Sequence, residues 1–149
     1  MYQVLLWLHI IGAAAWLGGN ITQVVLGRSF AREPKPAVAA FLRGTVVMGT
    51  RQYTPAAVLI LVTGILMVLQ NDAWHFESGF VVIGILMVVV GGALGGAVFG
   101  PVGRKTAEAY DAGDLEKAVA GERRLAAFGT LDTALVLGTL AAMVWKWGA

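Results

Sequence analysis

The chain has 149 residues, of which 58% are hydrophobic and 13% charged, and its mean hydropathy is +0.74. A water-soluble domain carries about 25% charged residues, so the composition argues against one, and zero cysteines exclude disulfides, thiolate metal sites and a thiol nucleophile. The net charge of +2 says little as a total; its distribution is what matters.

Three stretches contain no Asp, Glu, Lys or Arg: Met1–Gly27, Gln52–Asn71 and Ser78–Gly103. A fourth, Leu125–Trp145, is interrupted only by Asp132. Each meets the length of about 20 apolar residues needed to cross a bilayer. The expectation is an all-α bundle of four transmembrane helices forming one integral membrane domain over residues 1–149, with spans near 2–26, 54–70, 79–102 and 124–145. The first stretch lacks a basic n-region and a clean small-residue cleavage site, so it reads as a retained span and not as a signal peptide.

In chain order, Glu33-Pro34-Lys35-Pro36 ends the first span, and Pro36 suits the opening turn of the next helix. Residues from Ala37 onward are helical in pattern, with Gly44, Gly49 and Pro55 as bends. The first part of that segment is amphipathic, which predicts a cytoplasmic interfacial helix before span two. Span three stops near Gly100-Pro101, and its pattern extends as a helix to Tyr110. A turn follows, and Asp114 caps the restart that leads into span four.

The basic residues gather in two loops. Arg28, Arg32, Lys35, Arg43 and Arg51 lie between spans one and two, and Arg104, Lys105, Lys117, Arg123 and Arg124 between spans three and four. The loop from Asp72 to Glu77 has none, and only Lys146 follows the last span. The positive-inside rule then predicts both basic loops in the cytoplasm and both termini outside, N-out and C-out, in the cell (inner) membrane. Trp7, Trp74, Trp145 and Trp147 fall near the outer interface, as an aromatic belt does.

An ionisable side chain inside a span marks a functional site by default, because an unpaired polar group in hydrocarbon is costly. His9 is such a group. On an ideal helix Ala13, Trp16, Asn20 and Gln23 all fall within about 40° of it, so this polar stripe must face the bundle interior. Relative to Asp132, the residues Phe128, Thr139, Met143 and Lys146 also fall within about 40°. Asn20, Arg51 and Asp132 are at similar depth, and a hydrogen-bonded cluster of these with Gln23 is the structural expectation, since a buried carboxylate needs a partner. A proton or substrate path is the alternative for the same residues.

The outer half holds a different donor set. His9 and the loop residue His75 lie on the same side by topology, together with Met67, Met87 and Met143. Imidazole and thioether are axial ligands of haem iron, and the same pair suits Cu(I). The bland readings are a hydrogen-bonded structural histidine, a solvated His75 and methionines as packing filler. Gly91, Gly92, Gly95, Gly96 and Gly100 give small-xxx-small spacing on span three, open to packing within the bundle, a homodimer seam over Gly91–Gly100, or a flat wall for a planar ligand. No phosphate loop, carboxylate dyad or nucleophile–base pair is visible, and nothing suggests nucleic acid as a partner; the lipid bilayer is the expected one.

Leu8-His9-Ile10-Ile11 followed by Trp16 and Gly18-Gly19 resembles the first helix of the HemJ and CopD-like membrane proteins. The resemblance continues through Pro55-Ala56, Thr63-Gly64 and Trp74-His75, and takes in Arg123 and Lys146. The HemJ likeness implies haem b held by the first-helix histidine, which maps to His9, and oxidation of protoporphyrinogen IX. The chain departs from that pattern in having no Lys after His75, where Glu77 stands, and in lacking the Leu-Pro-Arg stretch and second histidine after span one, where only Arg28 remains. The CopD likeness implies copper handling, with His9, Met67, Met87 and Met143 as a compatible set. The leading expectation is a membrane haem protein with His9 as one axial ligand, His75 or Met143 as the other, and Gly12, Ala13 and Trp16 bordering the porphyrin. A copper-handling protein and a cofactor-free structural membrane protein are the alternatives.

Overall fold

The computed structural model describes residues 1–148 and is all-helical over them. Four helices are long and apolar enough to cross a membrane: α1 (Tyr2–Phe30), α2 (Lys35–Leu69), α3 (Gly79–Asp111) and α4 (Leu115–Trp145). They run up and down in chain order. Both ends of the chain meet at one end of the bundle, where Gly79 N–H donates to Gly148 C=O at 3.0 Å and the Tyr2 and Trp74 rings are 6.1 Å apart. Large apolar side chains such as Val25, Val58, Leu69, Leu86 and Val89 are exposed around the bundle, as a lipid-facing surface requires.

The segment expected as an interfacial helix before span two is the first part of α2, Lys35–Met48. Pro36 lies in its first turn, and the helix continues from Lys35 to Leu69 without a break. The reason is packing. Val38, Ala39 and Leu42 are buried against Ala107, Ala109 and Tyr110 of α3 and Ala118 of α4, so the apolar face of this segment meets protein. Arg43 closes the same contact with an ion pair to Asp111 at 2.7 Å.

Two helices share one irregularity. In α2, residues Gly49–Tyr53 form a π turn, closed by Thr54 N–H to Gly49 C=O; in α3, residues Gly95–Phe99 do the same, closed by Gly100 N–H to Gly95 C=O. A proline follows each turn, at Pro55 and Pro101. Proline has no N–H for the carbonyl one turn back and its ring crowds that carbonyl, and a single wide turn relieves both problems without ending the helix. The two bends divide the bundle. At the basic end, α2, α3 and α4 are in close contact; at the other end, α1 packs mainly on α2 and α3 mainly on α4, with a cavity between the two pairs.

α4 begins at Asp114, whose carboxylate accepts from Lys117 N–H at 3.2 Å and from Lys117 Nζ at 2.6 Å. Gly113 precedes it with φ of 74°, in the left-handed region that the turn requires. α4 ends at Lys146, also left-handed, with Trp147 N–H returning to Ala142 C=O.

Candidate functional site

At the level of the π turns the bundle contains one polar network. Asp132 is buried, 4% exposed. Its Oδ2 accepts from Asn20 Nδ2 at 2.8 Å and from Trp16 Nε1 at 3.2 Å. Asn20 Oδ1 accepts from the Tyr53 hydroxyl at 2.9 Å, and that hydroxyl accepts from Gln23 Nε2 at 2.8 Å. Asp132 Oδ1 has no protein partner among the described residues. The expected joining of Asn20, Gln23 and Asp132 is present.

Arg51 is not part of the network; it is exposed. It lies inside the π turn of α2, where the extra residue swings it outward and brings Gln52 and Tyr53 inward. Gln52 Nε2 then donates to Ala15 C=O at 2.9 Å. The polar partner that the carboxylate needs comes from neutral donors on α1, and α2 contributes a phenol where an arginine was expected.

Above the network lies a cavity of about 480 Å³ between the two helix pairs, within the range of roughly 300–1,000 Å³ usual for small-molecule sites. Its wall is apolar and aromatic, with Trp16, Trp74 and Phe80 prominent, and His9, Thr139 and Lys146 are its polar members. Trp16 joins the two regions, since its ring lines the cavity while its Nε1–H is held by Asp132. The ring rests on Gly91, where a side chain would collide with it, and meets Tyr53 edge-on at 5.9 Å.

His9 lies on the cavity wall beside Gly64, and its Nδ1 is 3.0 Å from Thr63 Oγ1. The Thr63 hydroxyl has one proton, which its shorter contact, 2.6 Å to Leu59 C=O, takes up. With that proton on Leu59 C=O, the Thr63 oxygen can accept from His9 Nδ1–H in the tautomer that carries its proton there. In the neutral ring that leaves the lone pair on Nε2, for which no protein hydrogen bond occurs among the described residues. Such an orienting bond on one ring nitrogen is the usual support of a ligating histidine.

The other expected residues divide. Met67, Met87 and Met143 all line the same cavity as His9, as does Ala13; the Met143 methyl lies against Gly84 of α3. His75 is not brought there. It is exposed in the 70–78 loop, its N–H turned to Ser78 Oγ at 3.2 Å, while its neighbours Trp74 and Phe76 face the cavity. Gly12 does not border the cavity either: a Cβ there would be 2.8 Å from Ile60 Cγ1 and 3.2 Å from Ala56 C=O, so Gly12 lets α1 lie flat on α2. The glycines of α3 point in two directions. Gly91 seats Trp16, whereas Gly92, Gly95 and Gly96 have open space beside them.

Lys146 was read in sequence as a basic residue past the last span on the Asp132 stripe, and its Nζ is 4.4 Å from the centroids of both Trp74 and Phe80 at the cavity rim. Burial under these rings holds its ammonium below the ordinary lysine range. Thr63 lies within span two and Tyr53 one residue before it, and their contacts with α1 follow from placing them opposite His9 and Asn20.

Fold and site together define a small four-span integral membrane protein with a ligand-sized apolar cavity under one end and a polar plug beneath it. The chain belongs to the family described as predicted integral membrane protein (DUF2269), whose model matches residues 3–147. No curated protein and no solved structure matches it. The HemJ and CopD-like likeness thus stays a likeness of motifs.

Proposed function

We propose that this integral membrane protein binds haem b in the outer cavity, with His9 Nε2 as axial ligand, and sits N-out and C-out in the cell membrane. The carrying observation is the His9–Thr63 pair, which ties Nδ1 and leaves Nε2 free on the wall of a large apolar cavity. The donor chemistry fits: imidazole with the thioether of Met143, Met67 or Met87 on the same cavity is an axial pair haem iron accepts. Ala13 and Gly64 are small where a flat ring needs room beside His9, and Lys146 offers the one rim cation for a carboxylate. Bound haem supplies a redox-active iron, or a gas-binding or porphyrin-reactive one if the sixth position stays open. The chain's own work is to orient the imidazole through Thr63, fix the Trp16 wall through Asp132, and keep water out with aromatic rings.

Optical spectra of protein purified after haem-replete expression test this reading. A Soret band is expected in the wild type, lost in His9→Ala and weakened or shifted in Thr63→Val. A colourless wild type would overturn it.

A second reading rests on the clustering of Met67, Met87 and Met143 with His9 around one cavity. These soft donors suit Cu(I). Stoichiometric copper by elemental analysis, with no Soret band and with loss on His9→Ala, would decide for it.

A further inference from the structure

The other end of the bundle has a second hollow. A cleft of about 300 Å³ lies between α3 and α4, lined by Val102, Lys105 and Thr106 of α3 and by Lys117, Gly121 and Arg124 of α4. Its floor is tight because Gly121 faces Thr106 so closely that no side chain fits between them, and the Thr106 hydroxyl donates to Val102 C=O at 2.7 Å. Three cations and no carboxylate line it. Lys117 is neutralised by Asp114 at 2.6 Å. Lys105 and Arg124 have no ion-pair partner among the described residues.

The cleft lies where the charge-free stretches end, one turn past Val102 on α3 and at the start of the apolar run of α4. What lies next to it along α4 matters more. On an ideal helix Lys117, Leu131 and Leu135 all fall within about 20° of Arg124. Leu131 and Leu135 are exposed, and Phe128 is stacked under the Arg124 guanidinium at 6.0 Å. One stripe of α4 is thus cationic at the basic end and apolar for several turns toward the middle. An amphipathic anion matches both parts, whereas a free inorganic anion uses only the first.

We propose that this cleft binds the phosphate of an anionic phospholipid from the leaflet at the basic end of the bundle, with Lys105 and Arg124 on the phosphate and an acyl chain along Phe128, Leu131 and Leu135. Basic hollows between membrane helices on that side suit acidic headgroups. The site is separate from the outer cavity and does not depend on what that cavity holds.

Native mass spectrometry of the full chain in mild detergent, titrated with phosphatidylglycerol, phosphatidylcholine or inorganic phosphate, tests the proposal. The wild type should retain phosphatidylglycerol in preference to phosphatidylcholine. Removing two cations with Lys105→Gln/Arg124→Gln should weaken that binding by about thirtyfold, each charge near an anionic surface counting for about fivefold. Arg28→Gln/Arg32→Gln removes the same charge elsewhere at that end and should leave it nearly unchanged, and Lys105→Arg/Arg124→Lys should retain it. Equal retention of the two lipids by the wild type, which needs no variant, overturns the proposal. So does equal loss in both glutamine pairs, which would mean a diffuse basic surface. Phosphate binding that depends on Lys105 and Arg124 without retained lipid would assign the cleft to free phosphate and overturn the lipid.

Discussion

The two halves of this bundle use the same four helices to opposite ends. Below the π turns, alanines and valines bring α2, α3 and α4 together, and Ala39 and Ala118 are completely buried. Above them the helix pairs separate around a cavity of about 480 Å³ whose wall is mostly aliphatic, with aromatic and thioether side chains among it. Small residues make the closed end and large ones the open end. In lipid no hydrophobic drive pulls helices together, so close approach depends on backbone proximity and polar bonds. The inner half has both. The other half has less of each between its pairs: Trp16 and Asn20 bond Asp132 at its base, Trp16, Met87 and Val136 pack together there, and the space that remains above them can take a ligand.

The polar network is the hinge of that difference, and breaking it should have the largest effect. Asp132→Ala removes the acceptor of two buried donors, Trp16 Nε1–H and Asn20 Nδ2–H. A buried donor left unsatisfied costs about 1–3 kcal/mol, so a loss of about 3 kcal/mol is expected, read as a fall in thermal or denaturant midpoint. Trp16 should also lose its fixed pose, seen as a red-shifted and less structured tryptophan emission in a variant retaining Trp16 as its only tryptophan. Asp132→Asn keeps an oxygen where Oδ2 is and should recover most of the loss. If Asp132→Ala were as stable as Asp132→Asn, the network would not be what holds the halves in register.

The same substitution placed in each half sharpens the contrast. Ala118→Leu forces a larger side chain into the closed end and should cost about 1–3 kcal/mol through overpacking. Ala13→Leu projects into the cavity and should change stability by less than about 1 kcal/mol. Its effect should appear instead in the ligand: on the haem reading the Soret band is lost while the fold persists. Equal destabilisation by the two variants would mean that the outer half is packed as tightly as the inner one.

Much of this was legible in the sequence because the bilayer simplifies the code. Charge-free runs set the four spans, and a straight α1 made the wheel arithmetic sound, so His9, Ala13, Trp16, Asn20 and Gln23 do face inward or line the site. Asp132 was equally readable on α4. The errors fall where the helix departs from ideal geometry or where a loop is involved. Arg51 lies within the π turn, whose extra residue rotates everything extrapolated through it. The spacing of Gly49 to Pro55, repeated from Gly95 to Pro101, is the signal that marks it. His75 was placed by topology alone, which gives a side of the membrane but no direction for a loop side chain. Gly12 was read as room for a ligand, yet a missing side chain can equally admit a neighbouring helix, and here Ile60 takes the space.

The smallest expected effect lies outside the membrane, at the turn that joins α3 to α4. Asp114 is half-exposed, and its hydrogen bonds from Lys117 hold its carboxyl below the ordinary value of 3.8. A carboxylate whose folded value is depressed stabilises the folded chain above its unfolded value, and that contribution disappears as pH falls through the folded one. Asp114→Ala should therefore lower the melting midpoint slightly at neutral pH, through loss of the cap on α4. The gap to wild type should close as pH drops below 3.8. A gap that stayed constant into acid would assign the effect to the backbone of the turn and not to the carboxylate. Because this end of α3 and α4 forms the closed half, even this half-exposed cap acts on the half that packing already holds, and the cavity at the other end should not register its loss.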